Sequence, residues 1–215
     1  MKPNRLLTFI LVILFAIPLK GCSQINNIKL PEPKKTGGMP LMEALSKRKT
    51  SRSYSQKELD LQTLSNLLWA AFGVTRDDGR RTAPSAVNWQ EVDIYVCFQK
   101  GVYLYNAKLN QLDFYMKGDI REATGKQPFV KDAPVNLVFV ADYSRMGDRA
   151  EDAKKSYAAA DVGFISQNVY LFCASEGLAT VVRGMVDKDE LKKLMNLRPD
   201  QHVVFAQTVG YSGEQ

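Results

Sequence analysis

An α+β fold is predicted by three features of the sequence. Helix-like and strand-like stretches are mixed without a repeating strand–helix–strand unit, which argues against a doubly wound parallel sheet. Three strand-like runs, at residues 92–98, 102–105 and 111–115, are joined by short turn-forming segments, as in an antiparallel meander. One stretch, residues 155–176, is apolar on almost every side between Val162 and Ala174, the mark of a helix covered from several directions. With 215 residues, 45% hydrophobic and 24% charged, the chain has the size and balance of one globular domain with an appendage.

The appendage comes first. Lys2 and Arg5 precede an apolar run over residues 6–17, and Gly21 stands before Cys22. This is the layout of a secretory signal, and the run is shorter than the roughly 20 residues of a spanning helix. Leu19-Lys20-Gly21-Cys22 resembles a bacterial lipoprotein box, although Lys20 stands where such boxes carry a small or neutral residue. The resemblance implies cleavage before Cys22 and lipid on its sulfur. Residues 1–21 are thus expected to be a lipoprotein-type signal peptide, 22–38 a flexible tether rich in Pro, Gly and Asn, and 39–215 the folded domain. The expected location is the bacterial cell envelope, periplasm or outer membrane, lipid-anchored; the alternative is cytoplasmic.

In the domain, a short helix opens at Pro40 and ends near Arg48, followed by a basic connector to Tyr54. Leu61, Leu64, Leu67, Leu68, Ala71 and Phe72 recur at helical spacing, and Gly73 is a natural stop. After the meander, residues 120–127 read as helical and 135–141 as a buried strand. The long helix then spans about 33 Å. A domain of this size can hardly surround it alone, so part of it is expected to pack on a second copy of the chain. A helix at 187–195 and a strand at 202–210 complete the order.

Composition narrows the chemistry. The only histidine is His202, and the cysteines are Cys22, Cys97 and Cys173, which excludes zinc sites built from several Cys and His ligands. It also leaves little room for a hydrolase with a histidine base. Loss of Lys2, Arg5 and Lys20 with the leader lowers the formal net charge from +6 to +3, too little for a nucleic-acid footprint. Cys97 and Cys173 lie in apolar contexts and are expected to be buried thiols.

Three clusters remain. Lys47-Arg48-Lys49-Thr50-Ser51-Arg52-Ser53-Tyr54 offers cations and hydroxyls that could grip a phosphate, although a charged helix end is more often a solvated face. Pro84-Ser85-Ala86-Val87-Asn88-Trp89-Gln90 places two amides after a turn, suited to a heteroaromatic edge or simply to capping. Asp161, Gly163, Gln167 and Asn168 lie along the long helix, and Glu176-Gly177-Leu178 ends it, where glycine lets a ring approach the backbone or merely caps.

In their order and spacing these clusters resemble the FMN-dependent nitroreductase superfamily, most closely its thiazole and oxazoline dehydrogenase branch and stand-alone relatives. Residues 48–54 resemble its amino-terminal Arg-Arg-Ser-x-Arg-x-Phe, and residues 84–90 its Pro-Ser-x-x-Asn-x-Gln. Gly101-Val-Tyr-Leu-Tyr105, Gln127-x-Phe129, Asp132-Ala-Pro134 and Asp161-x-Gly163 follow in family order. The resemblance covers about residues 41–211. It implies a nitroreductase-like fold with a mainly antiparallel sheet flanked by helices, and a homodimer with FMN at its interface. It assigns cofactor binding to Arg48, Thr50, Arg52, Ser85, Ala86, Asn88, Glu176, Gly177 and Leu178. No metal and no catalytic side chain is implied, since flavin N5 carries the chemistry. The implied activity is an FMN-dependent oxidoreductase passing hydride or electrons from NAD(P)H or another donor to a small organic acceptor. The alternatives are a flavin- or ligand-binding envelope lipoprotein without turnover, or a flavin dehydrogenase of peptide-derived heterocycles. Where several members end in a phosphate-binding Lys-x-Arg, this sequence reads Gly213-Glu214-Gln215, which would leave the anion to Arg48 and Arg52, or to Arg183 as a substitute.

Overall fold

The computed structural model describes residues 26–213. The leader and Cys22 lie outside them. Seven strands form one antiparallel sheet in the order β1-β4-β3-β2-β5-β7-β6. These are β1 (Ile28–Lys29), β2 (Val92–Phe98), β3 (Gly101–Asn106), β4 (Gln111–Lys117), β5 (Val135–Asp142), β6 (Leu178–Arg183) and β7 (Gln201–Tyr211). The helices are α1 (Leu41–Lys47), α2 (Leu61–Phe72), α3 (Glu151–Glu176) and α4 (Lys188–Leu194).

The period of two along the central strands divides the core between two faces. Ile94 and Val96 of β2, with Leu137 and Phe139 of β5, pack beneath α2 and α3 against Leu64, Leu67, Phe72, Val162, Ile165 and Val169. Tyr95 and Cys97, with Val138 and Val140, face the other way, toward Leu191 and Met195 around α4. β5 is buried along its whole length because both faces of the sheet are covered there.

The meander and α1, α2 and α4 form where the sequence predicts them. Four differences have local causes. First, α3 starts at Glu151, not at 155, with Glu151 and Asp152 in its first turn, where carboxylates favour the helix dipole. Second, residues 120–127 do not make a helix. Only the 3-10 turn Arg121–Thr124 forms there, ended by Gly125, and a second 3-10 turn, Pro128–Val130, follows from Pro128. Third, β6 begins at Leu178, directly after the Gly177 cap, where no strand is expected from the sequence. Fourth, the expected tether is folded from Ile28 onward. Ile28 and Lys29 pair with Leu112 and Gln111, and Leu30 joins the main core. The Lys34 N–H then donates to Asn66 on α2. Cys97 and Cys173 are buried free thiols, as expected.

Candidate functional site

A cleft of about 330 Å³ opens where α3 ends and β6 begins. Lys47, Lys49 and Ser51 form one wall, Tyr170, Cys173, Ala174 and Gly177 another. The basic connector is held there by the backbone. The Ser51 N–H donates to the Thr180 carbonyl, and the Gly213 N–H donates to the Ser53 carbonyl. The Tyr54 hydroxyl closes the turn onto the Ser51 carbonyl at 2.7 Å. Ser51 therefore runs beside β6, and Ser53 beside the end of β7.

Tyr170 organises this corner from α3. Its hydroxyl lies 3.1 Å from Thr50 Oγ1 and accepts from the Val182 N–H at 3.1 Å. The Arg48 guanidinium sits over its ring, 5.3 Å from the centroid. Arg52 is exposed, and Lys47 pairs with Glu43. Gly177 caps α3 in the left-handed region (φ 69°), and a side chain added there would meet only open space. Glu176 is exposed and receives a long bond from Ser175, while Leu178 pairs with Tyr211. Arg48, Thr50, Ser51, Gly177 and Leu178 are thus brought together. Tyr170 belongs to none of the motifs read from the sequence; its one cue there is its place two turns before Gly177.

The amide turn lies elsewhere. Val87, Asn88 and Gln90 all have positive φ, unusual for side-chain-bearing residues. The turn is fixed by a Gln90 N–H to Ser85 Oγ bond and by Gln90 Nε2, which donates to Asn88 Oδ1 and the Gly79 carbonyl. The Ala86 N–H donates to Asp161 on α3 at 2.9 Å. Asp161 and Gly177 are separated along α3 by about 24 Å at 1.5 Å rise per residue. Within one chain, Ser85, Ala86 and Asn88 are not among the residues that line the cleft at Lys49 and Gly177.

Arg183 is not a spare anion ligand. It is buried and donates to the Thr124 carbonyl and to Asn136 Oδ1, which also accepts from Thr208. Burial pulls its pKa down to about 10. Burial also holds the His202 imidazole below its ordinary value, and its ring stacks on Tyr143 at 4.1 Å; neither residue lines the cleft.

The nitroreductase family profile matches residues 45–211. The chain is 33% identical over 181 residues to MJ1384 of Methanocaldococcus jannaschii, a nitroreductase by name, covering 80% of this chain and 90% of that one. A crystal structure from Ralstonia eutropha, also a nitroreductase by name, superposes with a TM-score of 0.84 at 41% identity, covering 88% of this chain and 91% of the other. The NADPH:FMN oxidoreductase of Vibrio harveyi, solved with NAD+, shares the fold with a TM-score of 0.60 at 19% identity over 81% of this chain and 69% of its own. On the extent of these matches, the chain belongs to the nitroreductase family of oxidoreductases.

Proposed function

We propose that the protein is an FMN-dependent oxidoreductase whose two cofactor sites are each completed by a second copy of the chain. The observation that carries the reading is the cleft at the end of α3, with cations and hydroxyls on one wall and the open backbone of Gly177 on another. This donor set fits FMN. Lys47, Lys49 and Ser51 on one wall of the cleft suit a phosphate and its polyol, with Arg48, Thr50 and Arg52 alternating with them along the same connector, and a glycine without a side chain lets a flat ring lie against the main chain. The name of the Vibrio harveyi relative points to the same cofactor.

The other half of the site is the Ser85–Asn88 turn, and the second copy supplies it. Two α3 helices packed antiparallel about a twofold axis bring the Asp161 end of one beside the Gly177 end of the other. Asn88 then offers its amide to the pyrimidine edge from across the interface. When bound, the flavin supplies the hydride and electron chemistry. The chain contributes position and charge. Arg52, exposed on the connector, would supply the positive charge that stabilises a negative ring at the pyrimidine side. Tyr170 keeps Arg48 and Thr50 in place before the cofactor arrives. The donor is NAD(P)H or an envelope reductant, and the acceptor a small organic molecule. We further propose that Cys22 carries lipid and anchors the domain to the cell envelope, for which mass spectrometry of the mature amino terminus is the test.

Anaerobic spectroscopy tests the main reading. Protein incubated with FMN and washed should remain yellow and bleach on addition of NADPH, NADH or dithionite. A yellow protein bleached only by dithionite points to an envelope donor or to binding without turnover. A protein that stays colourless with excess FMN overturns the proposal.

A further inference from the structure

Directly after the amide turn, Glu91 is fully buried, and neither of its carboxyl oxygens has a partner among the described residues. Its side chain faces Asp161, which is also buried and whose Oδ2 accepts the Ala86 N–H. Two carboxylates offer each other only lone pairs; a proton on one of them makes it a donor to the other. The surroundings do not neutralise the pair. Arg145, packed below from the turn Tyr143–Met146, gives its guanidinium to both oxygens of Asp93 and to the Gln90 carbonyl, and lies 3.5 Å from Asp142. The Tyr143 phenol also faces Glu91, and beyond it stand Glu151 and His202.

The turn that this pair supports is strained. Three of its residues with side chains hold positive φ, at 50°, 58° and 49°, a cost that persists only where neighbours over-determine the backbone. The anchor of Ala86 to Asp161 is one such constraint, and it is only as well placed as the Asp161 carboxylate.

We propose that Glu91 is a positioning residue for the cofactor turn: it carries a proton, donates it in a hydrogen bond to Asp161, and so holds Asp161 where it can fix Ala86 and keep residues 85–90 in their left-handed form. Removing the proton sets two negative groups against each other in a dry site and loosens the turn. The proposal rests on the flavin reading only for what the turn binds; the coupling of proton to turn stands without it. Burial first, then repulsion from Asp161, raises the Glu91 pKa to about 7, so the turn is held below neutral pH and released above it.

Trp89, inside the turn and edge-on to Tyr157 at 5.6 Å, reports on it. The chain has two tryptophans, so full-length protein labelled with 5-fluorotryptophan gives two resonances, and Trp69 serves as the internal control. In the cofactor-free wild type the Trp89 resonance should titrate with a midpoint near 7, while Glu91→Gln, which keeps a neutral donor, should hold it constant. Asp161→Asn keeps an acceptor for Ala86 and removes the second charge, so the midpoint should fall by about one pH unit or more. FMN affinity should drop about tenfold between pH 6 and 8.5 in the wild type and stay level in Glu91→Gln. A flat wild-type resonance, or the same titration in Glu91→Gln, overturns the proposal. Failure to bind FMN at any pH would count against the flavin reading alone, because the resonance is read without cofactor.

Discussion

Arg48 and Arg183 are both arginines near one end of the sheet, yet their surroundings assign them opposite work. Arg48 is half-buried, its guanidinium over the ring of Tyr170, which lines the cleft, whereas Arg183 spends its donors on Thr124 and Asn136 inside the protein. Substitution should separate them. Arg48→Ala should weaken FMN binding by roughly 1.5–3 kcal/mol, the worth of a hydrogen bond to a charged group, with little change in folding stability. Arg183→Ala should do the reverse, leaving the buried Thr124 carbonyl without its donor at about 1–3 kcal/mol and taking one of its two donors from Asn136 Oδ1. Isothermal titration and urea unfolding of both variants decide the matter. Loss of FMN affinity in a stably folded Arg183→Ala protein would restore Arg183 to the site. The chemical character of Arg48, Thr50 and Asn88 is legible in sequence because each is a donor-rich residue in a short run. The burial of Arg183 is not, since its partners lie 59 and 47 positions away. Glu91 and Asp161 are likewise 70 positions apart, and only the packing of α3 on the turn makes them neighbours.

At the scale of elements, capping explains why α2 could be read from the sequence almost to the residue. Asp60 accepts from both the backbone N–H and the hydroxyl of Thr63, and Gly73 ends the helix. These bonds lower the Asp60 pKa, those from Thr63 being the largest cause. Asp60→Ala should therefore cost about 1 kcal/mol at neutral pH. A carboxyl with a lowered folded pKa stabilises the fold above its ordinary value of 3.8 and loses that contribution as the pH falls through the folded value. The gap between wild type and variant in urea unfolding should accordingly close in acid; a gap unchanged from pH 7 to pH 3 would show that the charge on Asp60 plays no part. The elements that escaped the sequence reading lack such local signals. β1 is two residues long and exists because β4 offers it an edge, and β6 follows Gly177 without a turn-forming segment to announce it. Residues 120–127 carry helix-forming side chains, but Gly125 lies against the Arg183 guanidinium, so tertiary packing overrides propensity there.

For the molecule as a whole, α3 poses the decisive question. One side of it builds the main core, yet the other leaves Tyr157 and Phe164 nearly half exposed, with Ala160 and Gly163 exposed between them. This stripe follows the i, i+3, i+7 spacing of a packing seam, and its small residues permit close approach of another helix. α1, which packs on α3, adds Leu41, Met42 and Leu45 to the exposed apolar surface. Exposed apolar side chains of this kind suit a partner surface, and the proposed twofold axis crossing α3 between Asp161 and Gly177 would draw on them. The same axis would join the halves of the proposed site that one chain keeps about 24 Å apart. Assembly and cofactor binding should therefore fail together. On the proposed dimer, Phe164→Arg puts a charge into the seam without touching the core, so the variant should fold, sediment as a monomer and bind FMN far more weakly than the wild type. Sedimentation velocity with and without FMN, alongside a flavin titration, reads both properties on one sample. A monomeric variant with wild-type affinity would mean that a single chain completes the site, and a dimeric variant would move the interface off α3.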